Sequence, residues 1–189
     1  MNQYTQNKVF KDKDFSSQNL SNFEFDNCKF IGCSFQKCNL SSSTFMDCSF
    51  DNCDFSLAKI NSTGFKTVSF SNCKLLGLQF TLCNTFLLEM KFMDCSLDLS
   101  SFYKLQLKST LFQNCSLKEV DFTETNLTKA KFKECDLLGA IFDNCNLEHT
   151  NFQTAINYSF DPERNRIKKA KFSYDGIGGL LDKYDIIIN

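Results

Sequence analysis

The chain has 189 residues, 42% of them hydrophobic, which suits one domain or one modest repeat array and is too apolar for a disordered chain. Its 21 Lys and Arg balance 22 Asp and Glu to a net charge of −1, which excludes a strongly basic nucleic-acid or anionic-membrane binder. One histidine leaves little room for His-based metal or acid–base chemistry, and no run approaches ~18 apolar residues, so no membrane span is expected.

Residues 1–9 read as a polar lead-in. Met1 to Lys8 lacks the apolar stretch of a secretory signal, so a cytoplasmic chain with eleven reduced thiols is expected, not a disulfide framework. From Phe10 onward every fifth residue is Phe, Leu or Ile, through Phe15, Leu20, Phe25 and on to Phe80. The register then slips by two within residues 81–88, read here as a bulge or short extruded loop. It resumes at Leu87 and alternates strictly between Leu and Phe to Phe152. Eighteen of the 22 Phe occupy this one position, termed the centre. All eleven Cys lie two residues before a centre or before its first-register continuation past Phe80; Ala, Thr and Val share the position. No C-x₂-C pair occurs, so these cysteines read as small buried apolar residues and not as metal ligands.

A helix turns ~100° per residue, so centres five apart would spiral round it, and a plain strand would throw successive centres to opposite faces. The chain must therefore turn once per repeat. A short extended piece points the centre and the residue two before it to the same side, inward. The remaining three positions, mostly Ser, Asn, Asp, Lys, Glu and Thr, suit a corner. Four corners close one coil of twenty residues, and residues twenty apart stack at the inter-strand spacing of ~4.8 Å.

Segments such as Cys38-Asn39-Leu40-Ser41-Ser42, Cys53-Asp54-Phe55-Ser56-Leu57 and Ala130-Lys131-Phe132-Lys133-Glu134 resemble the repeat of pentapeptide-repeat proteins. The resemblance spans about residues 10–155. It implies an all-β, right-handed quadrilateral β-helix, capped by a short helical and strand element over 156–189. In that tail Asp161-Pro162 marks a turn, Ala170-Lys171-Phe172 is repeat-like, Gly176 to Tyr184 reads as a short helix and Ile186-Ile187-Ile188 as a terminal strand. Asp161-Pro162-Glu163, Asn165, Ile167, Leu180-Leu181 and the aliphatic close resemble the tail of the microcin B17-immunity and quinolone-resistance group of that family. That resemblance implies a homodimer through the C-terminus, with Ile177, Leu180, Leu181, Tyr184, Ile186, Ile187 and Ile188 as cap or dimer residues. It also implies a DNA-mimicking bacterial rod that binds DNA gyrase or topoisomerase IV and gives protection from a poison or drug. Quinolone-resistance members often carry long extruded loops, and no insertion of that size interrupts this chain.

A DNA mimic needs acid along its surface. Two adjacent faces of the second half carry Asp98, Glu119, Asp136 and Asp121, Glu124, Asp143 against Lys104 and Lys118, while Lys91, Lys108, Lys129, Lys131 and Lys133 fall on the other two faces. These six acids are the candidate partner-binding residues. His149 and the Asp12/Asp14 pair lie outward with no partner spacing for catalysis, the filled interior leaves no cleft, and no phosphate-binding glycine loop occurs. No enzyme, cofactor, direct nucleic-acid binding or membrane contact is expected. The alternatives to a topoisomerase partner are an interaction scaffold with another protein partner and an immunity factor for a peptide toxin.

Overall fold

The computed structural model describes residues 3–187. The five-residue pattern folds into a four-faced parallel β-solenoid, with no α-helix among the described residues. Centres twenty apart lie over one another: Phe10 on Phe30, Phe30 on Phe50, Phe25 on Phe45. Face A holds the four-stranded parallel sheet of β1 (Gln3–Gln6), β3 (Phe23–Asp26), β5 (Thr44–Met46) and β7 (Gly64–Lys66). Face B holds seven strands: β2 (Val9–Lys11), β4 (Lys29–Ile31), β6 (Ser49–Asp51), β8 (Val68–Ser71), β9 (Met90–Met93), β10 (Leu111–Gln113) and β11 (Lys131–Lys133). Faces C and D are ladders of single parallel bridges, such as Ser96–Ser116–Asp136–Ile156 on C and Gln79–Ser101–Asp121–Ile141 on D.

Corners follow one geometry. The residue two after a centre has positive φ, as at Asn52 (53°), Leu99 (61°) and Glu124 (56°). At many corners the N–H three after the centre bonds back to its carbonyl, as from Cys38 to Phe35 at 2.9 Å and Ala58 to Phe55 at 2.9 Å. That is the signature of a type II turn, which favours Asn and Gly at the positive-φ site.

The interior is a column of side chains per face. On face B every centre from Phe10 to Phe172 is Phe, and successive rings stack with centroids 4.8–5.4 Å apart. In the second half the Leu/Phe alternation puts Phe on B and D and Leu on A and C. Phe102, Phe112 and Phe122 then meet edge to face across the core at 5.9 Å, an arrangement the ring quadrupole favours.

The position two before the centre does more than fill space. Cys28, Cys48, Cys53, Cys73, Cys83 and Cys145 direct Sγ to the carbonyl of a residue twenty-three back, at 2.9–3.6 Å. Thr63, Thr125 and Thr150 donate to the same kind of carbonyl at 2.7–2.8 Å. Cys, Ser and Thr interchange there because each is small and carries one donor, so the purely apolar reading is corrected. All eleven thiols are free and buried, and burial pushes Cys48 and Cys145 up to about 12. Thr125→Val, which keeps the shape and removes the donor to the Phe102 carbonyl, is expected to destabilise the fold by about 1 kcal/mol in urea denaturation. An unchanged midpoint would return this position to packing alone.

The slip is resolved in detail. Gly64 still pairs with Asn84, twenty on, but Val68 pairs with Met90, twenty-two on. Leu87 has φ 57°, as does its counterpart Thr67 at 56°. The first register therefore runs on to Thr85, and Leu88-Glu89 are the two extra residues. Leu87, read from spacing as a centre, is instead an exposed corner residue at 66%. Thr85 supplies no large centre, and from Cys28 on the three largest residues two before a centre, Leu78, Met90 and Leu105, all border this coil and are buried. They restore the missing volume, as close packing requires.

Stacking also passes the expected limits of the repeat. Gln3 to Gln6 already pair with Phe23 to Asp26, and bridges Asn146–Arg166 and Asn151–Lys171 carry the solenoid to Phe172. In that last coil Ala155, Tyr158 and Phe160 are buried. The tail beyond it forms two 3₁₀ turns, Ile177–Leu180 and Asp182–Tyr184, where a short helix was expected. Ile186 and Ile187 lie in no strand, because no neighbouring edge is offered to them; Ile188 lies outside the described residues.

Candidate interaction faces

The six predicted acids do come together on faces C and D, but they divide in two. Glu124 pairs with Lys104 at 3.4 Å, Asp136 with Lys118 at 3.3 Å, and Asp143 takes a two-pronged contact from Arg164, Nε at 2.7 Å and a second guanidinium nitrogen at 2.8 Å. Each base sits one coil away from its acid. Burial works to raise the Asp136 carboxyl, but hydrogen bonds from Asn157, Leu138 N–H and Lys118 hold it below the usual range. Asp98, Glu119 and Asp121 have no ion pair among the described residues. Asp98 accepts from Ser116 and from the Lys118 N–H, at 2.6 and 2.9 Å, and Asp121 from the Thr123 N–H at 2.8 Å. Exposed Leu99, Leu138 and Ile141 stand among these acids.

The tail residues also divide. Leu180 is buried on the last coil, where the Phe160 N–H bonds to the Gly179 carbonyl at 3.0 Å, so Leu180 is a cap residue and not an open interface. Leu181 is half-buried, whereas Ile177, Tyr184, Ile186 and Ile187 are exposed. Lys183 clips the tail down by contacting Asp161 at 2.7 Å and Glu163 at 2.8 Å. Its hydrogen bond holds the Asp161 carboxyl low.

Spacing alone missed Arg164, Arg166, Lys168, Lys169 and Lys171 as members of the faces. The signal was the same twenty-residue step, carried one coil further. Among the described residues no three His, Cys, Asp or Glu side chains gather as a metal site, and no helix is long and apolar enough to cross a membrane.

These features define a repeat-built β-solenoid whose surface, not an interior cleft, is available for contacts. Models of the pentapeptide repeat region match residues 43–122 and 87–159, and a pentapeptide-repeat model matches 14–47. The chain belongs to the pentapeptide-repeat family. Its fold is similar to that of a trypsin-treated variant of QnrB1, a plasmid-mediated fluoroquinolone resistance protein, at 18% identity over 100% of both chains and a TM-score of 0.70. It is similar also to HetL, involved in heterocyst differentiation regulation in the cyanobacterium Nostoc sp. Strain PCC 7120, at 14% identity over 90% of this chain and 86% of HetL, TM-score 0.55. No curated protein matches the chain in a sequence search.

Proposed function

We propose that this chain is a non-catalytic binding protein whose C and D faces occupy the DNA-binding surface of a type II topoisomerase, DNA gyrase or topoisomerase IV, and protect it from a poison. The observation that carries this reading is the charge of that side. From Ser96 to Arg164 faces C and D hold eight acids against three bases, and with Lys183 of the tail paired to Asp161 and Glu163 that side is net −4, on a chain of net −1. A surface selected for phosphate attracts such a stripe. The leucines between the acids supply the apolar contacts that protein interfaces need. The reading agrees with the resistance role named for QnrB1. Exposed Ile177, Tyr184, Ile186 and Ile187 suit a second copy of the chain at the C-terminal end, which would extend the stripe across a dimer. Pairing of five of these acids with Lys104, Lys118, Arg164 and Lys183 favours a second reading, a scaffold for a different protein, because paired acids present less free charge.

A plasmid supercoiling assay with purified gyrase and a fluoroquinolone tests the reading. The wild-type chain is expected to restore supercoiling, and the variant D98N/E119Q/D121N/E124Q is expected to lose that effect while keeping its fold by circular dichroism. No effect of wild type, or full effect of the variant, would overturn it. Light scattering on the same sample is expected to give twice 21.7 kDa; a monomer would remove the dimer.

A further inference from the structure

The near-zero net charge conceals a second side. Over residues 89–171 faces A and B hold nine bases against four acids, net +5, opposite the acidic side. The excess gathers on the edge between them. Lys108, Lys129, Lys131, Lys168, Lys169 and Lys171 line that edge and are all exposed. Glu148 is the one acid on the same stretch. The two sides differ in pairing as well as in sign. Four bases of the acidic side are held in ion pairs, whereas on faces A and B the one ion pair among the described residues is Lys133–Glu134, at 4.0 Å. None of the six edge lysines is held in an ion pair among the described residues.

We infer that this edge binds the phosphate backbone of double-stranded nucleic acid. The spacing suits it. Three coil steps separate Lys108 from Lys168, about 14 Å at ~4.8 Å per step; a duplex strand presents about four phosphates over that length. Gln106, Asn126, Asn146 and Asn151 stand beside the lysines and supply the neutral donors that also contact phosphate and sugar. An acidic protein partner fits less well. Protein interfaces centre on buried aromatic or apolar anchors, and from Gln106 to Lys171 the edge offers only a half-buried Leu111, the exposed Phe86 and Leu87 lying one coil beyond it. With no base-reading element on a flat edge, binding is independent of sequence. The inference stands apart from the topoisomerase reading, since it concerns the opposite faces.

The test is fluorescence anisotropy of a labelled random-sequence duplex titrated with the full chain, without topoisomerase. Binding is expected at low salt, with log affinity falling against log salt at a slope of about −4 for about four phosphate contacts. The variant K129E/K131E/K169E is expected to bind more than tenfold more weakly, with a slope shallower by about 3. It is expected to fold, because Glu119, Glu124 and Glu134 already occupy positive-φ corners like those of Lys129 and Lys169. The variant D98N/E119Q/D121N/E124Q is expected to bind at least as tightly as wild type. No duplex binding by wild type, equal binding by the lysine variant, or capture of polyglutamate without duplex would overturn the inference.

Discussion

Phe122→Ala is expected to destabilise the solenoid by ~3–5 kcal/mol, at the upper end for a core truncation. Phe122 is fully buried and lies between Phe102 and Phe142, at 5.4 and 5.1 Å, with Phe112 and Phe132 edge-on at 5.9 and 5.7 Å. The cost of such a change depends on how far the site collapses. Here it collapses little, because the backbone on both sides is held by inter-coil bonds: Phe122 N–H to Ile141 at 2.9 Å, and Asp121 N–H to Ser100 at 3.0 Å. The void stays open, and both neighbouring coils lose a stacking partner, as expected where stability comes from nearest-neighbour interfaces. Urea denaturation checks it through the midpoint. A loss below about 1 kcal/mol would show that the rings are not the source of stability.

Gly179→Ala is expected to detach the C-terminal cap. A Cβ at this position would lie inside contact distance of the Tyr158 carbonyl oxygen and carbon. Those are backbone atoms of the last coil, so no rotamer change relieves the clash. The 3₁₀ turn must lift, breaking the bond from the Phe160 N–H to the Gly179 carbonyl and uncovering Tyr158 and Phe160, both buried at present. A cost of about 2–3 kcal/mol follows from forced overpacking. The uncovered coil end would also expose unpaired backbone groups, which promotes association. Urea denaturation and light scattering are expected to show lower stability and concentration-dependent growth. Stability equal to wild type with no added association would show that the tail does not cap the solenoid.

Much of this was legible before any coordinates. Residues from Phe10 to Phe152 recur at a step that neither helix nor strand can bury, and only a chain turning every five residues satisfies it. Leu87 was misread because spacing counts a two-residue slip without locating it. Thr85 and Leu87 both lie in a permitted register, and the pairing of Val68 with Met90 together with the positive φ of Leu87 chose between them. Ile186 and Ile187 read as strand by side-chain type, yet strand formation needs an edge to pair with, and the last coil is covered by Leu180 and its 3₁₀ turn.

The sequence by itself determined the inward side chains, the coil length and the family, because a covalent period of five leaves one way to bury so many Phe and Leu. The tertiary structure decided the surface. Stacking at twenty residues aligns Lys129 and Lys131 with Lys168, Lys169 and Lys171, and sets Lys104, Lys118 and Arg164 against acids one coil away. Coulomb interactions depend on distance through space, and a net charge of −1 carries no information about distance.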